Sequence, residues 1–349
     1  MRYRPELPVS VGTPAADHKP TFKLLTTAEL MQMPAPQWLV KGLIPSDGLG
    51  VIYGAPGEGK TFLTLSLMLS MLHGVRCFDR RTDHSDGVIV YVAGEGVGGL
   101  TSRARAWLQH HGIDPNASSG ALYNPCPVAL LDAQSVEKVI LDIKHKVQGA
   151  PVKMVIFDTL ARCFGDGDEN LQTDMNRFVA ACSLIQRELS CAVWVVHHQP
   201  KGSDEMRGSS ALPGAADTIL RVSKTTQGLQ VEVRKQKDGQ DGIALLAQLE
   251  TLDLGPDEDG EPVEMPVAVL DGGTVQVQEQ NEPKSKNQTA LLDVLRLAGA
   301  KGLTDREWRD AANAAGIGGK NPNRAFRESR DALLKDRHVV KEDGIYIAV

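Results

Sequence analysis

Eight residues near the start of the chain have the composition of a phosphate grip. Gly54-Ala55-Pro56-Gly57-Glu58-Gly59-Lys60-Thr61 fits the spacing G-x-x-x-x-G-K-[ST] in full. Glycines let a backbone wrap around a phosphate with its amides turned inward. A helix starting at Lys60 adds the positive end of its dipole. The Lys60 ammonium is placed to reach the β- and γ-phosphates, and the Thr61 hydroxyl to serve Mg²⁺. The expected ligand is therefore ATP with Mg²⁺, cradled by Gly54, Ala55, Pro56, Gly57, Glu58, Gly59, Lys60, Thr61 and Phe62. Glu58 is compatible with this only if its carboxylate points away from the phosphates.

Three further groups have types and positions that suit the same chemistry. Asp158 closes the apolar run Val155-Ile156-Phe157, where a carboxylate at a strand end holds the metal through water. Glu95 follows the strand VIVYVAG between Gly94 and Gly96, placed to activate the attacking water; a solvated loop glutamate is the alternative. His197 and His198 end the run Ala192 to Val196. No third ligand at metal-type spacing accompanies the pair, so a γ-phosphate sensor is favoured over a metal site. The polar, Gly/Ser-rich segment 199–212 that follows carries Lys201 and Arg207, candidates for DNA contact, with a plain exposed loop as the alternative.

These groups need a scaffold that brings strand ends together. Buried-strand runs are expected at 49–55, 87–96, 153–159 and 191–199. Helices are expected from Lys60 to His73, Leu100 to His111, Ser135 to Val147 and Leu171 to Leu189. Continuous apolar strands alternating with helices indicate an α/β fold with a mainly parallel sheet covered on both faces. Ahead of it, Phe22 to Met33 has helical spacing, with Thr27 as a possible N-cap. After Gly208 the pattern changes to a strand pair, 217–224 and 229–237, then to short strands around the acidic loop 255–262. Residues 278–287 lack apolar side chains and read as a linker. Beyond it, helices from Gln288 to Ala298, from Thr304 to Ala315 and from Asn321 or Pro322 to Lys335 precede two strands around Asp343-Gly344. Three helices and a hairpin match a winged helix-turn-helix. The expected domains are thus an arm at 1–36, the ATPase core at 37–277, the linker, and a winged helix at 288–349.

Composition bounds the classes. The 349 residues are 42% hydrophobic and 23% charged, which excludes a disordered, collagen-like or multi-pass membrane chain. The most apolar stretch, Phe62 to Leu72, is far shorter than the ~20 residues of a spanning helix. Five cysteines without metal-type spacing suggest buried thiols in a reducing cytoplasm. The net charge of −6 conceals an acidic body and a basic tail, net +4 from Lys284 onward. In that tail Arg324, Arg327 and Arg330 follow i, i+3, i+6 spacing on the third helix, as a DNA recognition helix would. Glu328 and Asp331 dilute the face, so a protein-docking module stays open.

GAPGEGKT, the AGEG glutamate, VIFDT, VVHH and RGSS, in this order, resemble the RecA-type core of RepA-like hexameric replicative helicases of plasmids and phages. The segment WLVKGLIPSDGLGVIYGAPGEGKT resembles the AAA-type ATPases of that group. The resemblance covers about residues 37 to 250. It implies that Lys60 and Thr61 bind phosphate and Mg²⁺, that Asp158 is the Walker B residue, that Glu95 activates water and that His198 senses the γ-phosphate. It also implies a ring, a hexamer, with a cation donated in trans to each nucleotide. VRKQKDGQDG looks like the K-x-R-x-G strand end of DnaB-type helicases but has Lys237 where arginine is usual, and lysine lacks the bidentate fork. Arg221 is similar in place to the RepA-type finger, so Arg221 and the pair Lys235/Lys237 rank together, with Arg207 below. The tail departs from the simplest RepA-like proteins, which lack it.

Two functional expectations follow. One is an ATP-driven, ring-forming motor on single-stranded DNA, a replicative-type helicase. The other is an ATP-dependent assembly switch, loader or recombination mediator that recruits a replication or recombination partner through the winged helix without unwinding. A small-molecule kinase ranks last, since no acceptor-binding lid is evident. No membrane association is expected.

Overall fold

The computed structural model describes residues 24–94, 96–116, 120–200, 203–272, 274–275, 285–317, 321–335, 338–342 and 344–348. The chain divides into two compact units, Met1–Thr274 and Val275–Val349.

The first unit begins with α1 (Thr27–Met31) and a small ribbon of β1 (Trp38–Val40) and β2 (Ile44–Pro45). The alternation then runs β3 (Leu49–Gly54), α2 (Lys60–His73), β4 (Val88–Ala93), α3 (Val97–His110), β5 (Ala121–Asn124), α4 (Ala133–Val147) and β6 (Val152–Asp158). It continues with α5 (Leu160–Cys163), α6 (Gln172–Leu189), β7 (Ala192–His198) and α7 (Ala211–Ala215). An antiparallel-rich end follows: β8 (Thr218–Thr225), β9 (Gly228–Gln236), β10 (Ala244–Pro256) and β11 (Pro262–Val269), with β12 (Thr274–Val275) falling at the division.

The main sheet has the order β11-β10-β9-β8-β3-β7-β6-β4-β5. Strands β8, β3, β7, β6, β4 and β5 are parallel. Strands β9, β10 and β11 extend the sheet antiparallel. The α/β fold with a mainly parallel sheet, expected of a RecA-like core, is therefore present. Its apolar runs have the anticipated cause: every residue of β3 and β6 is buried, because both faces of the sheet are covered. One face packs Ile52, Ile156, Trp194 and Val196 against Leu63 and Leu67 of α2. The other packs Val51, Val155, Val193 and Val195 against Phe178 and Ile185 of α6.

Several local details differ from the sequence reading. The cap of α1 is Thr26, not Thr27; its hydroxyl accepts from the Glu29 amide while Glu29 reaches back to the Thr26 amide. β5 has no counterpart in the sequence reading, because a four-residue edge strand without an apolar run leaves no period-2 signal. The short strands expected after residue 240 include one of 13 residues, β10, which pairs β9 through its first part and β11 through the rest. Cys77, Cys163, Cys182 and Cys191 are buried as expected, but Cys126 is exposed. Burial pushes the Cys163 thiol up to about 11 and those of Cys77 and Cys191 to about 12, so these stay protonated and inert.

The second unit has the order α8 (Lys286–Ala298), β13 (Leu303–Thr304), α9 (Asp305–Ala314), α10 (Pro322–Lys335), β14 (Val339–Glu342) and β15 (Ile345–Ala348). Its three strands pair antiparallel in the order β13-β15-β14. α8 begins two residues before the expected Gln288, because Ser285 caps it by accepting from the Gln288 amide. Thr304 caps α9 with Glu307 in a reciprocal capping box, an arrangement in which a cap contributes about 1 kcal/mol. Leu291, Leu295, Trp308, Phe326, Leu333 and Tyr346 form a core of their own. The Trp308 indole N–H donates to the Leu291 carbonyl at 2.9 Å, so the one polar atom of that ring is satisfied. Because this unit carries its own core, removing residues 284–349 is expected to leave basal ATP turnover of the remainder within about twofold, a comparison read from steady-state phosphate release. Collapse of turnover would make the tail part of the ATPase.

Candidate nucleotide site

The functional groups meet at the carboxyl ends of β3, β7, β6 and β4, where open parallel sheets bind ligands. Register fixes their neighbours: Gly54 lies opposite His198, Asp158 opposite Val196, and Ala93 opposite Asp158. β7 thus stands between the strand that leads into the glycine loop and the strand that ends at Asp158.

The loop's glycines have separate causes. A Cβ on Gly54 would lie 2.3 Å from the Val222 carbonyl oxygen of β8, so no larger residue fits. Gly59 is the N-cap of α2 at φ 81°, a left-handed conformation that favours glycine. A glycine cap has no side chain to bond the first-turn amides, which leaves them to an anion, with the helix dipole adding to the attraction. The Glu58 carboxylate accepts from the Lys224 amide of the β8–β9 hairpin and so points away from that cradle. Phe62 is partly buried beneath the Arg103 guanidinium, whose carbon lies 5.1 Å from the ring centre.

Lys60 is only 6% exposed, and its ammonium donates to the carbonyls of Gly54 (3.0 Å) and Ala55 (2.8 Å), at the mouth of the loop. Thr61 Oγ1 donates to Asp158 Oδ2 at 3.0 Å. Asp158 is 3% exposed, and the same oxygen accepts from the Tyr91 hydroxyl. Burial first, then the Asp158 charge, push the Tyr91 phenol far above its ordinary range, so it acts as a donor. The hydroxyl and carboxylate pair fits a divalent cation: Thr61 and Asp158 are the hard oxygen groups that would hold Mg²⁺, Asp158 through water. When bound, that ion would neutralise charge on the β- and γ-phosphates.

The two histidines have different surroundings. His197 is 1% exposed, and its Nε2 donates to the Arg207 carbonyl at 2.8 Å. Burial lowers it to about 4, so it is a neutral core imidazole. Residues alternate across β7, with Val193 and Val195 toward α6 and Trp194 and Val196 toward α2. By that period His198 lies on the face of α2 and the glycine loop, next to Gly54.

The segment after β7 is tied to the same loop. The Gln199 amide donates to the Gly54 carbonyl at 3.2 Å, and the Arg207 amide to the His198 carbonyl at 3.1 Å. The Arg207 side chain pairs with Glu169. Lys201 lies outside the described residues, as does Glu95. The described neighbour Gly94 donates its amide to the Asp158 carbonyl at 2.6 Å.

The remaining cations are held within the chain. Arg221 bridges Asp204 (2.5 Å) and Glu232 (3.1 Å). Lys235 donates to the carbonyls of Pro213 and Gly214 at 2.9 and 3.2 Å, and Lys237 pairs with Asp217 at 2.5 Å. Lys235 and Lys237 flank the start of β8, since Ile219 pairs Lys235. They therefore lie at the end of the sheet opposite their own chain's glycine loop. In the second unit, Arg324 pairs with Glu328 at 2.7 Å, while Arg330 bridges Asp305 (2.6 Å) and Asp331 (2.7 Å) and is only 19% exposed. The Arg327 Nε donates to the Asn323 carbonyl at 3.4 Å.

Sequence reasoning passed over Tyr91. Its signal was a hydroxyl inside the otherwise apolar strand run VIVYVA, since a buried tyrosine needs a partner for its oxygen.

A family model described as AAA domain matches residues 18–204, which is more than half of the chain. The chain belongs to the AAA domain family. The match takes in the glycine loop, Asp158 and His198 of this AAA domain, and ends before Arg221, Lys235 and Lys237. Together with the geometry it identifies a P-loop ATPase domain. No curated protein matches the chain. Among solved structures, the chain is similar to one described as an ATPase domain, with 13% identity and a TM-score of 0.42 over 63% of this chain and 85% of that one. It is also similar to the RadB recombinase, with 20% identity and a TM-score of 0.42 over 58% of this chain and 87% of that one. Among the described residues, no helix is long and apolar enough to cross a membrane.

Proposed function

We propose that this AAA domain protein is an ATP-hydrolysing, ring-forming motor on single-stranded DNA, in the manner of the RepA-like helicases its motifs resemble. The observation that supports the reading is the backbone link between the glycine loop and the segment after β7. Gly54 accepts from the Gln199 amide, and His198 accepts from the Arg207 amide. A change at the γ-phosphate that moves His198 therefore moves the polar segment carrying Lys201 and Arg207. Single strands bind through small, sequence-tolerant positive patches, which an acidic body can supply locally. In a ring, Arg221 or the pair Lys235/Lys237 is the cation lent to the neighbouring protomer's nucleotide, and six protomers are the expected closure. Arg221 would exchange Asp204 for phosphate, and Lys237 would exchange Asp217.

Steady-state ATP turnover should rise at least tenfold with single-stranded DNA, with displacement of the paired strand from a forked substrate. Turnover indifferent to single strands would overturn the motor reading.

One observation favours a second reading. Two of the three α10 arginines, Arg324 and Arg330, are neutralised by carboxylates, a surface better suited to a protein than to a DNA groove. In that case the second unit, read as a winged helix, recruits a replication or recombination partner, and ATP governs assembly alone. ATP-dependent assembly without strand displacement is the result that would select it.

A further inference from the structure

We propose that Tyr91 is a positioning residue of the nucleotide site, holding the Asp158 carboxylate in the orientation that serves Thr61 and the divalent cation. The proposal rests on the reading of the glycine loop as an ATP·Mg²⁺ site.

The geometry carries it in three steps. First, Tyr91 and Asp158 lie on one face of adjacent parallel strands. Tyr91 pairs in register with Ile156, and Ala93 pairs with Asp158, so the tyrosine sits one side-chain repeat behind the carboxylate. A phenol spans that step; a shorter hydroxyl on β4 does not. Second, the Tyr91 and Thr61 hydroxyls donate to the same oxygen, Asp158 Oδ2. Two donors from different elements, β4 and the first turn of α2, define the plane of the carboxylate. Third, the donors are rigid. Tyr91 is 1% exposed, on a strand flanked by β6 and β5, with its ring centre 6.2 Å from that of Tyr123. The orientation is set before any ligand arrives, in the way that outer partners orient metal ligands.

Without the phenol, Asp158 keeps Thr61 as a donor but loses one that does not itself serve the metal. The Thr61 hydroxyl, which also meets the ion, is then left without the phenol's help in holding Oδ2. Outer partners of this kind typically change metal affinity by about 10- to 100-fold.

The test uses the full-length Tyr91→Phe variant, which removes one oxygen and keeps the ring. A fluorescent ATP analogue reports nucleotide binding with EDTA and across a Mg²⁺ titration. The half-saturating Mg²⁺ concentration should rise about tenfold or more, while affinity in EDTA stays within twofold of wild type. Tyr123→Phe, which removes a neighbouring phenol, should change neither. Adding Tyr91→Phe to Asp158→Asn should shift the Mg²⁺ requirement no further, because the tyrosine acts through the aspartate. An unchanged Mg²⁺ requirement in Tyr91→Phe would overturn the proposal. So would an equal loss of affinity in EDTA, which would assign Tyr91 to packing of the loop. If Tyr91→Phe does not fold, the Mg²⁺ requirement of Asp158→Asn decides: wild-type behaviour there removes the carboxylate, and with it Tyr91, from the metal's surroundings. Failure of wild type to bind the analogue at all would instead remove the nucleotide reading on which the proposal stands.

Discussion

Lys60→Ala is expected to lower ATP turnover by about 10²–10³-fold, the range seen when one preorganised donor is removed from a developing negative charge. Lys60 is nearly buried, its ammonium is fixed on two loop carbonyls, and it opens the helix whose amides face the cradle. A charge preorganised in this way needs no reorganisation when the γ-phosphate develops negative charge. In water the same ammonium would be screened and worth far less. Alanine keeps the helix start, so folding should be little affected; a thermal melt within a few degrees of wild type separates loss of chemistry from loss of fold. Turnover near the wild-type rate would remove the glycine loop from the reaction.

Glu95→Gln is the second large effect. The variant should bind ATP with wild-type affinity and turn it over about 10²–10⁴-fold more slowly, the range attributed to a positioned general base. The argument combines sequence and neighbouring structure. Glu95 directly follows Gly94, whose amide is bonded to the Asp158 carbonyl at the end of β4. That bond ties the residue before Glu95 to the strand end of Asp158, the expected metal carboxylate. Glutamine preserves size and removes the basic oxygen, so binding and hydrolysis should separate. Equilibrium binding of a fluorescent analogue, set beside phosphate release, makes the comparison. Normal turnover in this variant would move the base elsewhere.

Much of the first unit is legible in residues alone because buried parallel strands leave long apolar runs. The helix expected from Lys60 to His73 is present with those bounds, since glycine precedes it and Gly74 follows it in the left-handed conformation. Thr304 as the cap of α9 is legible for a similar local reason: its hydroxyl acts on an amide three residues away. The elements that escape the sequence have physical causes too. β5 is too short to show a period, and the length of β10 depends on two different partners.

The cationic residues are the instructive case. Sequence places Arg207, Arg221, Lys237 and Arg330 as available charges. Folding gives each of them a carboxylate: Glu169, Asp204 with Glu232, Asp217, and Asp305 with Asp331. Most of these partners are distant in the chain, so no spacing rule could reveal them.

The sequence by itself determined the glycine loop with its lysine, the carboxylate that ends β6 and the α/β alternation that supports both, because each is encoded in contiguous residues through glycine geometry, strand periodicity and helix starts. Only the tertiary structure decided which groups meet. It set His198 rather than His197 beside Gly54, bound Tyr91 to the carboxylate of Asp158, and sent Lys235 and Lys237 to the far end of the sheet. Those outcomes depend on strand order and register, which arise from packing between segments that the linear chain keeps apart.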